Sequence, residues 1–133
     1  MACADNGYLS SFFALEVTSK GIFRFHKICC WDVANSINTM QTVTVGADGA
    51  ICVAPAPRRR ERLHGFSLVR FKRGTDGILV YDATENKIEG SEKHELVEDR
   101  EVAFHRACWC PDPTAPNWLA FGGGLGVLFV QRI

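Results

Sequence analysis

Thr42-Val43-Thr44-Val45-Gly46-Ala47-Asp48-Gly49-Ala50-Ile51-Cys52-Val53 is the stretch that decides the fold. Two short runs rich in β-branched residues flank an Asp-Gly pair. Such runs favour extended backbone, and glycine accepts the positive φ that a tight hairpin demands. The stretch therefore predicts two antiparallel strands joined at Asp48-Gly49. Further along, Trp118-Leu119-Ala120-Phe121-Gly122-Gly123-Gly124-Leu125-Gly126-Val127-Leu128-Phe129-Val130 repeats the plan. With one single-residue gap, Gly49 matches Gly126 and Val53 matches Val130. Gly124-Leu125-Gly126 then takes the role of Asp48-Gly49.

The repeat extends upstream of both stretches. Phe25-His26-Lys27-Ile28-Cys29-Cys30-Trp31 is similar to Phe104-His105-Arg106-Ala107-Cys108-Trp109-Cys110, each an aromatic, a histidine and a base before an apolar run. This alignment sets His26 against His105 and makes Trp31-Asp32 the end of a first strand. Turns are predicted at Asp32 to Asn38 and at Pro111 to Asn117. Glycine and proline interrupt every helical candidate before three turns are complete. Glu85 to Val102 comes closest and has room for a short helical turn. Each unit thus reads as strand, turn, strand, tight turn, strand. A meander of three or four short strands is the plan of a propeller blade, which needs neighbours to bury its faces.

At these residues the chain resembles the WD-repeat family. Phe104 to Pro113 is similar to the family's first strand, and Asn117-Trp118-Leu119-Ala120-Phe121-Gly122-Gly123 to its second. More narrowly, the run from His105 to Gln131 resembles the terminal blade of the WD-repeat subunits of RNA polymerase III transcription factor IIIC. The resemblance implies an all-β fold of antiparallel WD-repeat-like blades, and a non-catalytic scaffold in a nuclear complex that acts in transcription. Other protein subunits would be its partners, with at most weak or indirect DNA contact. The family places its Trp-Asp pair at the end of the third strand, so Trp31-Asp32 departs from the pattern. That departure predicts a weakened form of the family's Asp-His-Ser-Trp hydrogen-bond network. A propeller needs ~4–8 blades of ~40–45 residues each, so 133 residues predict an incomplete propeller, a fragment of a longer protein, with an assembly of several copies or a small open sheet as the alternatives. Phe12-Phe13-Ala14-Leu15-Glu16-Val17 is a candidate outer strand for the last blade.

The middle of the chain breaks the repeat. Ala54-Pro55-Ala56-Pro57 reads as a stiff, extended spacer that cannot sit in a central strand. Arg58, Arg59, Arg60 and Arg62 follow, then Phe66 to Arg73, where apolar and basic residues alternate. Gly74-Thr75-Asp76-Gly77 predicts a hairpin turn back into Ile78 to Tyr81, and this pair suits the outer edge of the first blade. Alternation puts Arg70 and Lys72 on one face. With the four loop arginines they are the candidate contact for nucleic acid or a partner, because guanidinium forks fit phosphate oxygens. An acidic stretch from Asp82 to Glu101 competes for the same arginines. The expected organisation is 1–57 for an N-terminal strand and first repeat, 58–101 for a charged connector with an outer hairpin, and 102–133 for a second repeat.

Composition narrows the function. Formal net charge is zero and 47% of residues are hydrophobic, which favours a packed core over general affinity for nucleic acid or membrane. No run is long enough to cross a bilayer as a helix, and Met1 to Asn6 lacks the basic flank and apolar core of a secretory signal. The expected location is the nucleus, with the cytoplasm as the alternative, and six cysteines there read as reduced, buried thiols. His26, Cys29, Cys30, His105, Cys108 and Cys110 have the right chemistry for zinc but not the spacing of a finger. His105 and Cys108 are an odd number of residues apart and face opposite sides of one strand, which argues against a Cys-His nucleophile. Gly122-Gly123-Gly124 has neither the Lys-Ser nor the helix of a phosphate loop. Trp31, Trp109 and Trp118 are expected in the core. No catalytic residue, cofactor or metal is expected. A metal-binding or redox cysteine protein, or a propeller scaffold of an unrelated complex, is the alternative.

Overall fold

Asp48-Gly49 turns the chain as expected, with Gly49 at φ 69°, and Gly126 repeats the geometry at φ 68°. The computed structural model describes residues 2–3, 8–12, 19–24, 26, 29–55, 65–73, 75–82, 86–88 and 102–133, with side chains for 26, 29–55, 75–78, 80 and 102–133. Every regular element among them is a strand. Ala2–Cys3 (β1), Tyr8–Phe12 (β2) and Ser19–Arg24 (β3) form one antiparallel sheet in that order. Cys30–Ser36 (β4), Gln41–Gly46 (β5), Ala50–Pro55 (β6), Gly65–Arg73 (β7) and Leu79–Asp82 (β8) form a second, and Asn86–Ile88 (β9) shares the outer edge of β7 with β8. Phe104–Trp109 (β10), Trp118–Gly123 (β11) and Leu128–Arg132 (β12) form a third. The chain is all-β, built of antiparallel meanders compatible with propeller blades, and the described sheets do not close a ring.

The second and third sheets pack face to face. Val43 and Val45 of β5 and Ile51 and Val53 of β6 meet Phe104, Ala107 and Trp109 of β10 and Leu119 and Phe121 of β11. Phe104 meets Phe121 edge-on at 5.4 Å between ring centroids, and Phe121 stacks on Phe129 at 5.2 Å. Alternation produces this layer: the buried residues of β5 and β6 facing β10 are spaced by two, as are Leu119 and Phe121. The opposite face of β5 and β6 is buried as well, at Thr42, Thr44, Cys52 and Ala54. Within this second, middle sheet, β5 and β6 are therefore buried on both sides. The outer hairpin forms as predicted, with Arg73 opposite Leu79 and Arg70 opposite Asp82, and β7 pairs with β6 at Ala50 to Val53.

Four expectations are corrected: to begin with, Ala54 and Pro55 are not spacer but the last residues of β6, opposite Thr42 and Gln41 of β5. The first strand of the repeat is Cys30–Ser36, so Trp31-Asp32 begins it rather than ending it. The polar residues Asp32, Asn35 and Ser36 stay in the strand because each has a hydrogen-bond partner there, Asp32 the Val33 and Ala107 amides, Asn35 the Thr42 hydroxyl and Ser36 the Thr39 amide, and the turn is delayed to Ile37–Met40, where Met40 takes φ 54°. The repeat is also out of step with the histidine alignment. Cys30 pairs with Gly46 where Phe104 pairs with Gly123, and each strand then bulges by one residue, at Trp31 and at His105. His105 is thus the counterpart of Trp31, not of His26. Lastly, Phe12 lies in β2, paired with β3, and not beside β12; residues 13–17 of that expected strand lie outside the described residues.

Candidate interaction surface

Gly46 and Gly123 set two close approaches of the backbone. A Cβ on Gly46 would meet Nδ1 of His26 at 2.5 Å and the carbonyl oxygen of Cys29 at 2.6 Å, and one on Gly123 would meet the backbone of Ala103 and Phe104. At both places the absent side chain lets the segment before a first strand lie against the end of a second strand. The same backbone bond then forms twice, Ala47 N–H to Cys29 O at 3.0 Å and Gly124 N–H to Ala103 O at 2.9 Å. Cys29, Ala47 and Ala103 pack together there, with half-buried Trp31 against them.

The Gly46 approach admits His26 to the interior, where it is 1% exposed. Its Nδ1 lies 3.0 Å from Oδ1 of Asp48, and its Nε2 lies 2.9 Å from Oγ1 of Thr44. Asp48 also accepts the Ala50 amide at 3.2 Å, closing the β5–β6 turn. One side chain thereby ties together the segment before β4, the middle of β5 and the turn after β5. His26, Thr44 and Asp48 thus form one buried hydrogen-bonded network of three side chains. Sequence reading placed His26 in the wrong role; the alternate position of Thr44 and the turn signal at Asp48-Gly49 were the available pointers.

Asp32 works between the sheets. Its Oδ1 accepts the Val33 amide at 2.9 Å and its Oδ2 accepts the Ala107 amide of β10 at 3.1 Å. Two residues along, the indole N–H of Trp109 donates to the carbonyl of Ala34 at 3.2 Å. The two bulged residues, Trp31 and His105, stack on each other with centroids 4.2 Å apart. The indole N–H of Trp31 donates to Sγ of Cys29 at 2.7 Å. Trp31 and Trp109 thus serve the packing, whereas Trp118 is 42% exposed and corrects the core expectation for it.

The far face of the third sheet is open. With Phe104, Ala107, Trp109, Leu119 and Phe121 turned inward, alternation turns Arg106, Cys108, Ala120, Gly122, Leu128, Val130 and Arg132 outward. Small residues at the centre leave a shallow trough of about 420 Å³, lined by Arg106, Cys108, Ala120, Gly122 and Leu128 among others. At one end, the Pro111 to Asn117 loop is held by Asp112, whose carboxylate accepts the backbone and hydroxyl of Thr114, both at 2.8 Å. Those bonds hold its carboxyl below the usual carboxylate range.

Arg58, Arg59, Arg60 and Arg62 lie outside the described residues, as does most of the acidic stretch. Arg70 and Lys72 are placed by register alone, opposite Asp82 and Val80. Cys29, Cys30 and Cys52 are buried as expected, but Cys108 is exposed and Cys110 half-buried, because the outer face of β10 has nothing over it among the described residues. There, no three His, Cys, Asp or Glu side chains converge in a way that could hold a metal. No protein-family model and no curated protein matches the chain.

Proposed function

We propose that the protein is a non-catalytic interaction scaffold of the WD-repeat propeller kind, a subunit of a nuclear complex of the transcription factor IIIC type that serves RNA polymerase III transcription. The observation that carries the reading is the His26–Thr44–Asp48 network. It occupies the segment before a first strand, the second strand and the tight turn after it, and it matches the Asp, His and Ser members of the family's network with Thr for Ser. The third strand, Ala50–Pro55, supplies no Trp, so the fourth member is missing. The near-identical turn at Gly126 and the doubled Gly46 and Gly123 approaches support a repeated blade. The narrower assignment rests on the resemblance carried by His105 to Gln131.

The mechanism is rigid presentation. The doubly buried strands β5 and β6 hold loops and an exposed sheet face in fixed positions for partner proteins. Arg58, Arg59, Arg60 and Arg62, with Arg70 and Lys72, supply a secondary contact to DNA phosphate. The test is purification of the chromosomally tagged protein from nuclear extract, with identification of what accompanies it. Recovery of subunits of a polymerase III transcription factor is the expected result. A partner set unrelated to transcription would refute the narrow assignment.

A further inference from the structure

Ile37-Asn38-Thr39-Met40, the turn between β4 and β5, breaks three local rules in four residues. Ile37 is 88% exposed and Met40 54%, at the tip of a hairpin where polar residues are the rule. Met40 holds φ 54°, a left-handed conformation that glycine adopts freely and a side chain adopts only under strain. It is the one non-glycine residue with positive φ among the described residues. The Thr39 hydroxyl is buried with no hydrogen-bond partner there. The turn is nonetheless held firmly. Ser36 Oγ accepts the Thr39 amide at 3.1 Å, and the Thr42 hydroxyl donates to Asn35 Oδ1 at 2.7 Å across the base. Neither bond uses the side chain of Ile37 or Met40. Residues that break local rules without serving the fold mark a functional position.

The turn lies at an end of the sheets, away from the faces on which they stack. Asp32 takes the Ala107 amide and the Trp109 indole donates to the Ala34 carbonyl, so β4 and β10 run side by side in the same direction. Their C-terminal ends share one end of the molecule, which puts the Ile37–Met40 turn and the Pro111 to Asn117 loop there together. Asp112 in that loop is exposed; its Oδ1 takes both Thr114 bonds and its Oδ2 remains open to a cation. Arg132 lies two strands away from β10, on β12.

We infer that the Ile37–Met40 turn is an apolar anchor that inserts into a pocket of a partner protein, one lined by apolar side chains with a lysine or arginine at its rim for Asp112. The inference rests on the scaffold reading and names the contact and the partner chemistry that reading leaves open. A projecting tip requires a concave site, and a turn fixed in advance loses little freedom on binding. The turn carries no cation, so an anionic bilayer surface has nothing there to attract.

The test has two arms, both on the full chain. In the isolated protein, Ile37→Ser should leave the melting midpoint unchanged, and Met40→Gly should raise it by ~2–5 °C as the left-handed strain is relieved. A fall in either midpoint assigns these side chains to the fold and overturns the inference. In the second arm, the tagged protein is purified from nuclear extract beside Ile37→Asp and a control, Ile78→Asp, at another exposed apolar position. The control should recover every subunit, and Ile37→Asp should lose at least one by tenfold or more. With that subunit purified, calorimetry should show Asp112→Asn, which keeps both Thr114 bonds, binding at least fivefold more weakly at low salt and almost equally at high salt. Indifference to Asp112→Asn overturns the inference, as does undiminished recovery with Ile37→Asp, which leaves the scaffold reading standing. Recovery of no subunit by the wild-type chain overturns both. Binding to phosphatidylcholine–phosphatidylserine vesicles, or self-association, that Ile37→Asp abolishes makes a bilayer or a second copy the occupant and overturns the inference too.

Discussion

Replacing His26 by alanine tests the central joint of the first repeat. The ring is 1% exposed and both nitrogens are engaged, so its loss cannot be made good by solvent without opening the fold. Thr44 is itself buried, and a buried hydroxyl deprived of this partner costs ~1–3 kcal/mol. Asp48 keeps the Ala50 amide, so its loss is nearer ~1 kcal/mol. Together these give a destabilisation of ~2–4 kcal/mol, a large share of the ~5–15 kcal/mol that holds a typical domain. Urea unfolding followed by tryptophan fluorescence measures it as a drop in midpoint at constant slope. A double-mutant cycle with Thr44→Val isolates the His–Thr bond, and a coupling of ~1 kcal/mol or more is expected for groups in direct contact. A cost for His26→Ala below ~1 kcal/mol, or a cycle that closes to zero, would refute the claim that this network joins the segment before β4 to the β5–β6 turn.

The glycines give a graded series. Gly46→Ala forces a methyl against the His26 ring and the Cys29 carbonyl and should cost more than ~2 kcal/mol by thermal melt, whereas Gly77→Ala, at φ 78° with open space around it, should cost only the ~1 kcal/mol of its backbone conformation. Asp32→Ala removes acceptors for the Val33 and Ala107 amides and is expected to lower stability by ~1–3 kcal/mol, with amide exchange at Ala107 accelerating before that of Leu119. Thiol labelling of the native protein followed by mass spectrometry should modify Cys108 well before Cys29, Cys30 or Cys52; equal rates would contradict the burial pattern. Changing Arg58, Arg59, Arg60 and Arg62 to alanine should weaken DNA binding and flatten its salt dependence, with stability unchanged within ~0.5 kcal/mol. Absence of salt-sensitive binding in the unmodified chain would remove nucleic acid from its partners.

Strands and tight turns were legible because they depend on neighbours in sequence. Asp48-Gly49 and Gly126 announce positive φ, and the apolar–basic alternation from Phe66 announces β7. The register of the repeat was not, because composition alone does not mark a bulge. Phe25-His26 and Phe104-His105 look alike, yet one precedes its strand and the other sits within it. Close backbone approach at Gly46 and Gly123 was the better anchor, since it depends on an absent side chain rather than on a shared histidine. The loop after β10 is also longer than that after β4, which breaks any ungapped comparison. The open face of the third sheet was half legible: alternation separates Ala120 from Leu119, but only packing reveals which set is covered. The His26 network joins residues 18 and 22 positions apart and needed the folded chain to appear.

The three tryptophans lie in three different settings, which equips the chain with its own optical probes. Trp109 is sealed between two sheets, Trp31 lies between a thiol and an imidazole, and Trp118 borders the open face. Emission at the red edge therefore belongs mainly to Trp118, and iodide should quench that component first. Any molecule that covers the outer face shifts that component to the blue and shields it from the quencher, while Trp109 stays unchanged until the sheets separate. Binding and unfolding can thus be followed in one cuvette by colour, without a label.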